Sequence, residues 1–127
     1  MMKTQSIILH AGRVLLASLF VLGGINKILN FGATAESMTQ VGFPFASLLL
    51  PVVIALELGG GLIVALGKKG VFPAATALAL FTLAANLAFH DFWAVTGREA
   101  ELQLSLFFKN IAIAGGLLFV AAQRQAD

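Results

Sequence analysis

The sequence predicts an all-α integral membrane protein: a four-helix bundle with a short interfacial helix between the first and second spans. Three observations carry that expectation. The 127-residue chain is 59% hydrophobic and only 11% charged, far below the roughly 25% charge of a soluble domain. Its apolar residues gather into four runs, each near the roughly 20 residues a helix needs to cross the hydrocarbon core. Five strongly polar residues, Arg13, Lys27, Glu57, His90 and Lys109, sit inside those runs or at their lips. A charge at such depth is costly unless it faces a protein interior, so it usually has a task there.

The first span is expected over Ile7 to Leu29. The run is too long for a signal-peptide core and no small-residue cleavage pattern follows it, so it reads as a retained helix. The connection from Asn30 to Phe43 holds an amphipathic stretch, Thr34 to Val41, ended by Gly42; it is expected to lie in the interface or fold over the bundle. The second span runs from Phe45 to Leu66, entered through Gly42-Phe43-Pro44. Gly67-Lys68-Lys69-Gly70 makes a tight turn, with glycine ending one helix and Pro73 in the first turn of the next. The third span is Val71 to Phe92 and the fourth Leu102 to Ala122, joined by a polar segment that opens on Trp93, a residue that prefers interface depth. The whole chain, 1–127, reads as a single membrane domain.

Lys3, Lys68, Lys69 and Arg124 fall on one side of the bilayer, and Arg98 falls on the other among Glu36, Glu99 and Glu101, with Lys27 at the edge of that second side. The excess of Lys and Arg places both termini in the cytoplasm. The chain has no cysteine and no tyrosine, which removes thiol nucleophiles, iron–sulfur ligation, covalent haem attachment and tyrosyl chemistry. Its two histidines, His10 and His90, are expected at opposite ends, so no bis-histidine haem and no metal site is anticipated. No basic stripe exists for nucleic acid.

Depth and helical phase suggest how the polar groups gather. Arg13 lies about 9 Å and Glu57 about 14 Å from the cytoplasmic ends of their apolar runs, so the two are expected to form a structural ion pair. Arg13, Phe20 and Lys27 recur at heptad spacing, with Gly24 close to the same face. Asn86 and His90 share one face of the third span; Ser105, Lys109, Ile113 and Gly116 share one face of the fourth; Val53, Glu57, Gly60, Gly61 and Val64 share one of the second. Inward-facing, these residues would frame a polar cavity open to the outer side. Gly23-Gly24, Gly59-Gly60-Gly61 and Gly115-Gly116, with the pairs Ala55/Gly59 and Ala112/Gly116, suggest close helix packing. Phe89, Phe92, Phe107 and Phe108 are candidates for a ring-binding slot, though ordinary packing explains them as well.

The order Arg13…Gly24-x-x-Lys27, Gly42-x-Pro44, Glu57-x-Gly59-Gly60-Gly61, Phe89-His90-Asp91-Phe92-Trp93 and Lys109-Asn110 with Gly115-Gly116 resembles the DoxX family of small bacterial membrane proteins. The resemblance runs from about Gly12 to Phe119. It implies a four-helix protein of the bacterial inner membrane with a quinone and redox association. On that reading the chain is a quinone-associated oxidoreductase subunit, with quinone or quinol as substrate and no covalently bound cofactor. Lys27, Asn86, His90, Lys109 and Asn110 would bind the quinone, and His90, Lys109 and Glu57 would stabilise developing charge or move protons. No redox cofactor site is evident, so electrons would pass through a partner subunit or directly between substrates. The alternatives are an anion or solute transporter or channel component, and a structural or assembly subunit. Beyond the lipid bilayer, the expected partners are another oxidoreductase subunit or further copies of the chain.

Overall fold

The computed structural model describes residues 2–123; Arg124, one of the cations counted above, lies outside them. Among the described residues, four helices are long and apolar enough to cross a membrane: Lys3–Leu29, Ala46–Leu66, Val71–Ala94 and Gly97–Ala122. Successive spans run antiparallel, so the first and last described residues lie at one end of the bundle, here the terminal end. The opposite end, the loop end, carries the short helix between the first two spans.

Helix α1 (Met2–Leu29) crosses in one piece. Its heptad stripe turns inward as its spacing implies: Ala17, Phe20 and Gly24 are buried, and Arg13 and Lys27 are half-buried at either end. Helix α2 (Phe31–Gln40) begins one turn earlier than the sequence suggests. It buries Ala35 and Met38 against Ala46 and Leu50 and leaves Glu36 and Gln40 exposed, as expected of a helix folded onto the bundle. Gly42 ends it with φ of +99°. The Gly42 amide donates to the Thr39 carbonyl at 3.0 Å and the Phe43 amide to the Met38 carbonyl at 3.0 Å, the paired bonds that glycine at this position permits.

The second span is not one regular helix. It comprises α3 (Ala46–Ala55), a π-helical turn (Leu56–Gly60) and α4 (Gly61–Leu66). Pro51 lies inside α3 and contributes no amide to the helical ladder. The inner half of this span packs against both α1 and the third span, whereas α3 packs against α1 and α2. A space between the second and third spans opens toward the loop end as a result.

Helix α5 (Val71–Phe89) is the most enclosed element, burying Val71, Ala74, Ala75, Leu78, Ala79, Thr82 and Asn86. Its alanines let α6 (Gly97–Ala122) pack along its length. Helix α6 starts five residues before the expected Leu102, at Gly97, and α5 stops at Phe89, short of Phe92. The glycine contacts also differ from expectation. A Cβ on Gly24 would stand 2.7 Å from Leu58 Cγ, and one on Gly61 2.9 Å from Val21 Cγ2. Gly59 and Gly115 have nothing within 4 Å, and Ala55 and Ala112 are exposed. Ala55, Gly59 and Ala112 therefore face outward, Gly116 meets Leu16 of α1 only at ordinary contact distance, and Gly24 and Gly61 make the close crossing of α1 over the second span.

Candidate functional site

That crossing fixes the pairing of charges. Gly24 meets Leu58, Gly61 meets Val21 and Ala17, and Gly67 meets Arg13, so Glu57 lies level with Gly24 and Arg13 lies at the Gly67 turn. The expected Arg13–Glu57 pair is not formed. Lys27 Nζ contacts Glu57 Oε1 at 2.8 Å instead. Antiparallel geometry explains the choice. Side chains lean toward the N-terminus of their helix, so Lys27 leans inward from the loop end and Glu57 leans outward to meet it. Arg13 leans the same way as Lys27, which at its position is away from Glu57, and it lies about 16 Å below the level of Glu57. Depth measured from the end of each apolar run does not contain the register between the two helices.

The Glu57 side chain is 6% exposed and that of Lys27 is 26% exposed. Apart from this charge contact, Oε1 accepts no hydrogen bond. The Gly23 position is part of the arrangement, because a Cβ there would stand 3.0 Å from Glu57 Oε2. Arg13 instead contacts His10 Nδ1 through NH2 at 3.1 Å. Its guanidinium lies against Gly67, where any Cβ would overlap it, beside the C-terminal end of α4. A cation is favourably placed there by the helix dipole.

Two cavities flank the Lys27–Glu57 pair. The larger, about 640 Å³, fills the space between α3 and α5 and is roofed by α2. Leu49 and Val53 form one wall, Phe81, Ala84, Ala85 and Phe89 the other, and Lys27 and His90 supply the strongest polar groups. Phe43 stacks on Phe89 at 6.2 Å between centroids, with 20° between ring planes. The smaller cavity, about 150 Å³, is lined by Glu57, Thr82 and Asn110 together with Leu19, Phe20, Phe81 and Ala85. Phe81 and Ala85 line both spaces.

From the small cavity a polar seam climbs between α5 and α6. Asn110 donates to Asn86 Oδ1 at 3.3 Å, and Asn86 donates to the Phe107 carbonyl at 3.0 Å. Asn86 is 1% exposed, so these bonds satisfy an otherwise costly buried amide. One turn further on, His90 Nδ1 lies 2.8 Å from Gln103 Oε1. With Oε1 as the acceptor, the ring donates from Nδ1 and presents Nε2 elsewhere.

The sequence-derived set therefore divides. Lys27 and His90 line the large cavity, Glu57 and Asn110 line the small one, and Asn86 ties α5 to α6. Lys109 joins none of them; it is exposed on the flank of α6. The inward face of that helix is Asn110, Ala114, Leu117 and Ala121, and Lys109 is turned about 100° away from its neighbour Asn110. Of the expected face, Ser105 and Lys109 are exposed, whereas Ile113 and Gly116 are partly buried against the bundle. Phe92, Trp93, Phe107 and Phe108 form an edge-to-face cluster with centroids 5.2–5.8 Å apart. The rings that line the cavity are Phe43, Phe81 and Phe89. Gln103, Thr82, Phe43 and Phe81 were missed by sequence reasoning. Gln103 had a legible signal, since it lies two helical turns before Asn110 on the same face.

Four apolar spanning helices around a buried ion pair and a largely apolar cavity define a small integral membrane protein. The DoxX family model matches residues 8–91, and the chain belongs to that family. The inner membrane protein YqjF of Escherichia coli (strain K12) is 36% identical over 123 residues, covering 95% of this chain and 87% of the relative. The inner membrane protein YphA of the same organism is 26% identical over 117 residues, covering 92% of this chain and 83% of the relative. No solved structure matches the chain.

Proposed function

We propose that this protein is a quinone-binding subunit of an inner-membrane oxidoreductase, oriented with both termini in the cytoplasm and the large cavity in the outer half of the bilayer. The observation that carries the reading is that cavity. Its 640 Å³ falls within the roughly 300–1,000 Å³ of ordinary small-molecule sites, enough for a quinone ring and a short length of isoprenoid tail. Its walls are aromatic and aliphatic, as such a body requires. The Lys27 ammonium donates hydrogen bonds, matching a carbonyl oxygen on the quinone ring, and His90 Nε2, an acceptor when Nδ1 donates to Gln103, matches a hydroxyl of the reduced ring. A positive group beside the carbonyl oxygen stabilises negative charge as it develops there.

Lys3, Lys68 and Lys69 at the terminal end, against Arg98 at the loop end, support the orientation. The inner-membrane relatives support the compartment. Anion transport has less support than the sequence suggested, because the cations are not assembled: Lys109 faces outward and Lys27 is paired with Glu57.

The test is purification in mild detergent at native expression, followed by solvent extraction of bound lipid and identification of co-purifying proteins. The expected result is stoichiometric quinone in the wild type, its depletion in Lys27→Met, and a co-purifying oxidoreductase component. A homogeneous chain carrying neither quinone nor partner would refute the proposal.

A further inference from the structure

Lys27 faces two demands. Its Nζ contacts Glu57 Oε1 at 2.8 Å, and the same residue lines the large cavity. Glu57 lines only the small cavity, on the far side of the Phe81 and Ala85 wall. We infer that ligand binding in the large cavity is coupled to protonation of Glu57: a carbonyl oxygen that draws the Lys27 ammonium into the cavity leaves the carboxylate without its counter-charge, and Glu57 then takes up one proton. The inference rests on the cavity being a site for a carbonyl-bearing ligand.

The surroundings of Glu57 leave little alternative. Its side chain is 6% exposed, and an uncompensated charge at that burial is strongly unfavourable. The groups that face it are few. Helix α1 brings Lys27, α5 brings Thr82 and α6 brings Asn110; of these only Lys27 carries charge. Neither the hydroxyl nor the amide can replace an ammonium, whereas a proton can. The small cavity has about 150 Å³, room for a few water molecules at roughly 30 Å³ each, and Glu57, Thr82 and Asn110 supply polar partners for them. The balance is simple: one proton passes from solution to the carboxylate as the ligand binds and returns when it leaves. The ammonium keeps its three hydrogens, and no electron moves.

The experiment uses the full-length protein in detergent and a decyl-substituted benzoquinone as probe. Binding is followed by calorimetry in buffers of different ionisation enthalpy, which yields the protons taken up per ligand bound. The wild type should take up close to one proton, and its Kd should rise about tenfold per pH unit over the range where uptake is complete. Glu57→Gln should bind the probe at least as tightly, since Lys27 is then free to donate, with proton uptake abolished and Kd flat with pH. Wild-type binding without proton uptake overturns the inference and leaves the quinone site standing. Uptake that survives in Glu57→Gln and vanishes in His90→Gln overturns it too, because the proton then belongs to the imidazole. Absence of probe binding in the wild type overturns both.

Discussion

Replacing Lys27 with methionine tests whether the buried ion pair holds the fold at the crossing of α1 and the second span. At a separation of 2.8 Å and an effective dielectric constant of about 20, the gross attraction is roughly 6 kcal/mol. Desolvation of both groups offsets much of this, so the pair itself contributes far less than that sum. Removing one partner is a different perturbation. It leaves the Glu57 carboxylate, 6% exposed, with no charge to face, and breaking a buried pair in this way costs about 3–5 kcal/mol. Lys27 is 26% exposed, and water can follow the vacated side chain, which places the expected loss near 3 kcal/mol. For a chain of this size that corresponds to a fall in Tm of roughly 12 °C.

The assay is thermal unfolding in detergent followed by Trp93 fluorescence, for Lys27→Met, Glu57→Gln and the double variant. The double variant should recover to within about 1 kcal/mol of the wild type, because an amide without a charged partner is tolerable where a carboxylate is not. A Lys27→Met protein within about 0.5 kcal/mol of the wild type would refute the argument. A double variant as unstable as Lys27→Met would refute it equally.

Gly61→Leu should destabilise by about 2–3 kcal/mol through overpacking against Val21, whereas Gly115→Ala, with open space around it, should be neutral or up to about 1 kcal/mol stabilising; the same melts read both. Gly67→Ala combines a φ of +68° with overlap on the Arg13 guanidinium and should cost about 1–2 kcal/mol from the backbone alone, again by melting temperature. Asn86→Ala removes the acceptor for Asn110 and the side-chain tie from α5 to the Phe107 carbonyl of α6, for a loss of about 1–3 kcal/mol measurable in the same way. Lys109→Met should leave the quinone content of the purified protein within about twofold of the wild type, because Lys109 is exposed away from both cavities; bilayer anchoring by such a side chain is a snorkelling effect.

The membrane-spanning architecture was legible in the sequence because it follows from local chemistry. Backbone groups in hydrocarbon must be satisfied within the segment, so apolar runs of sufficient length become spanning helices whatever surrounds them. The helix ends marked by glycine and proline were legible too, whereas the start of α6 and the end of α5 differ from the apolar runs by several residues. Gly42 and Gly67 stop helices because they adopt the left-handed conformation there, and Pro73 fits the first turn of α5. Helical phase alone identified the inward stripe of α1 and the buried face of Glu57, Gly60, Gly61 and Val64.

What the tertiary structure decided is which of those polar residues meet. The Lys27–Glu57 pair depends on the register set by Gly24 on Leu58 and Gly61 on Val21, and register between distant helices leaves no trace in the spacing along either one. The same holds for Lys109. Phase places it beside Asn110, but which flank of α6 lies against α5 is settled by packing of Ala114, Leu117 and Ala121. The large cavity is further still from local rules. It exists because α3 packs on α1 and α2 while the inner half of the same span packs on α5, a divergence arising from the relative placement of whole helices. Sequence periodicity records where each side chain points around its own axis; where the axes cross is a property of the assembled bundle.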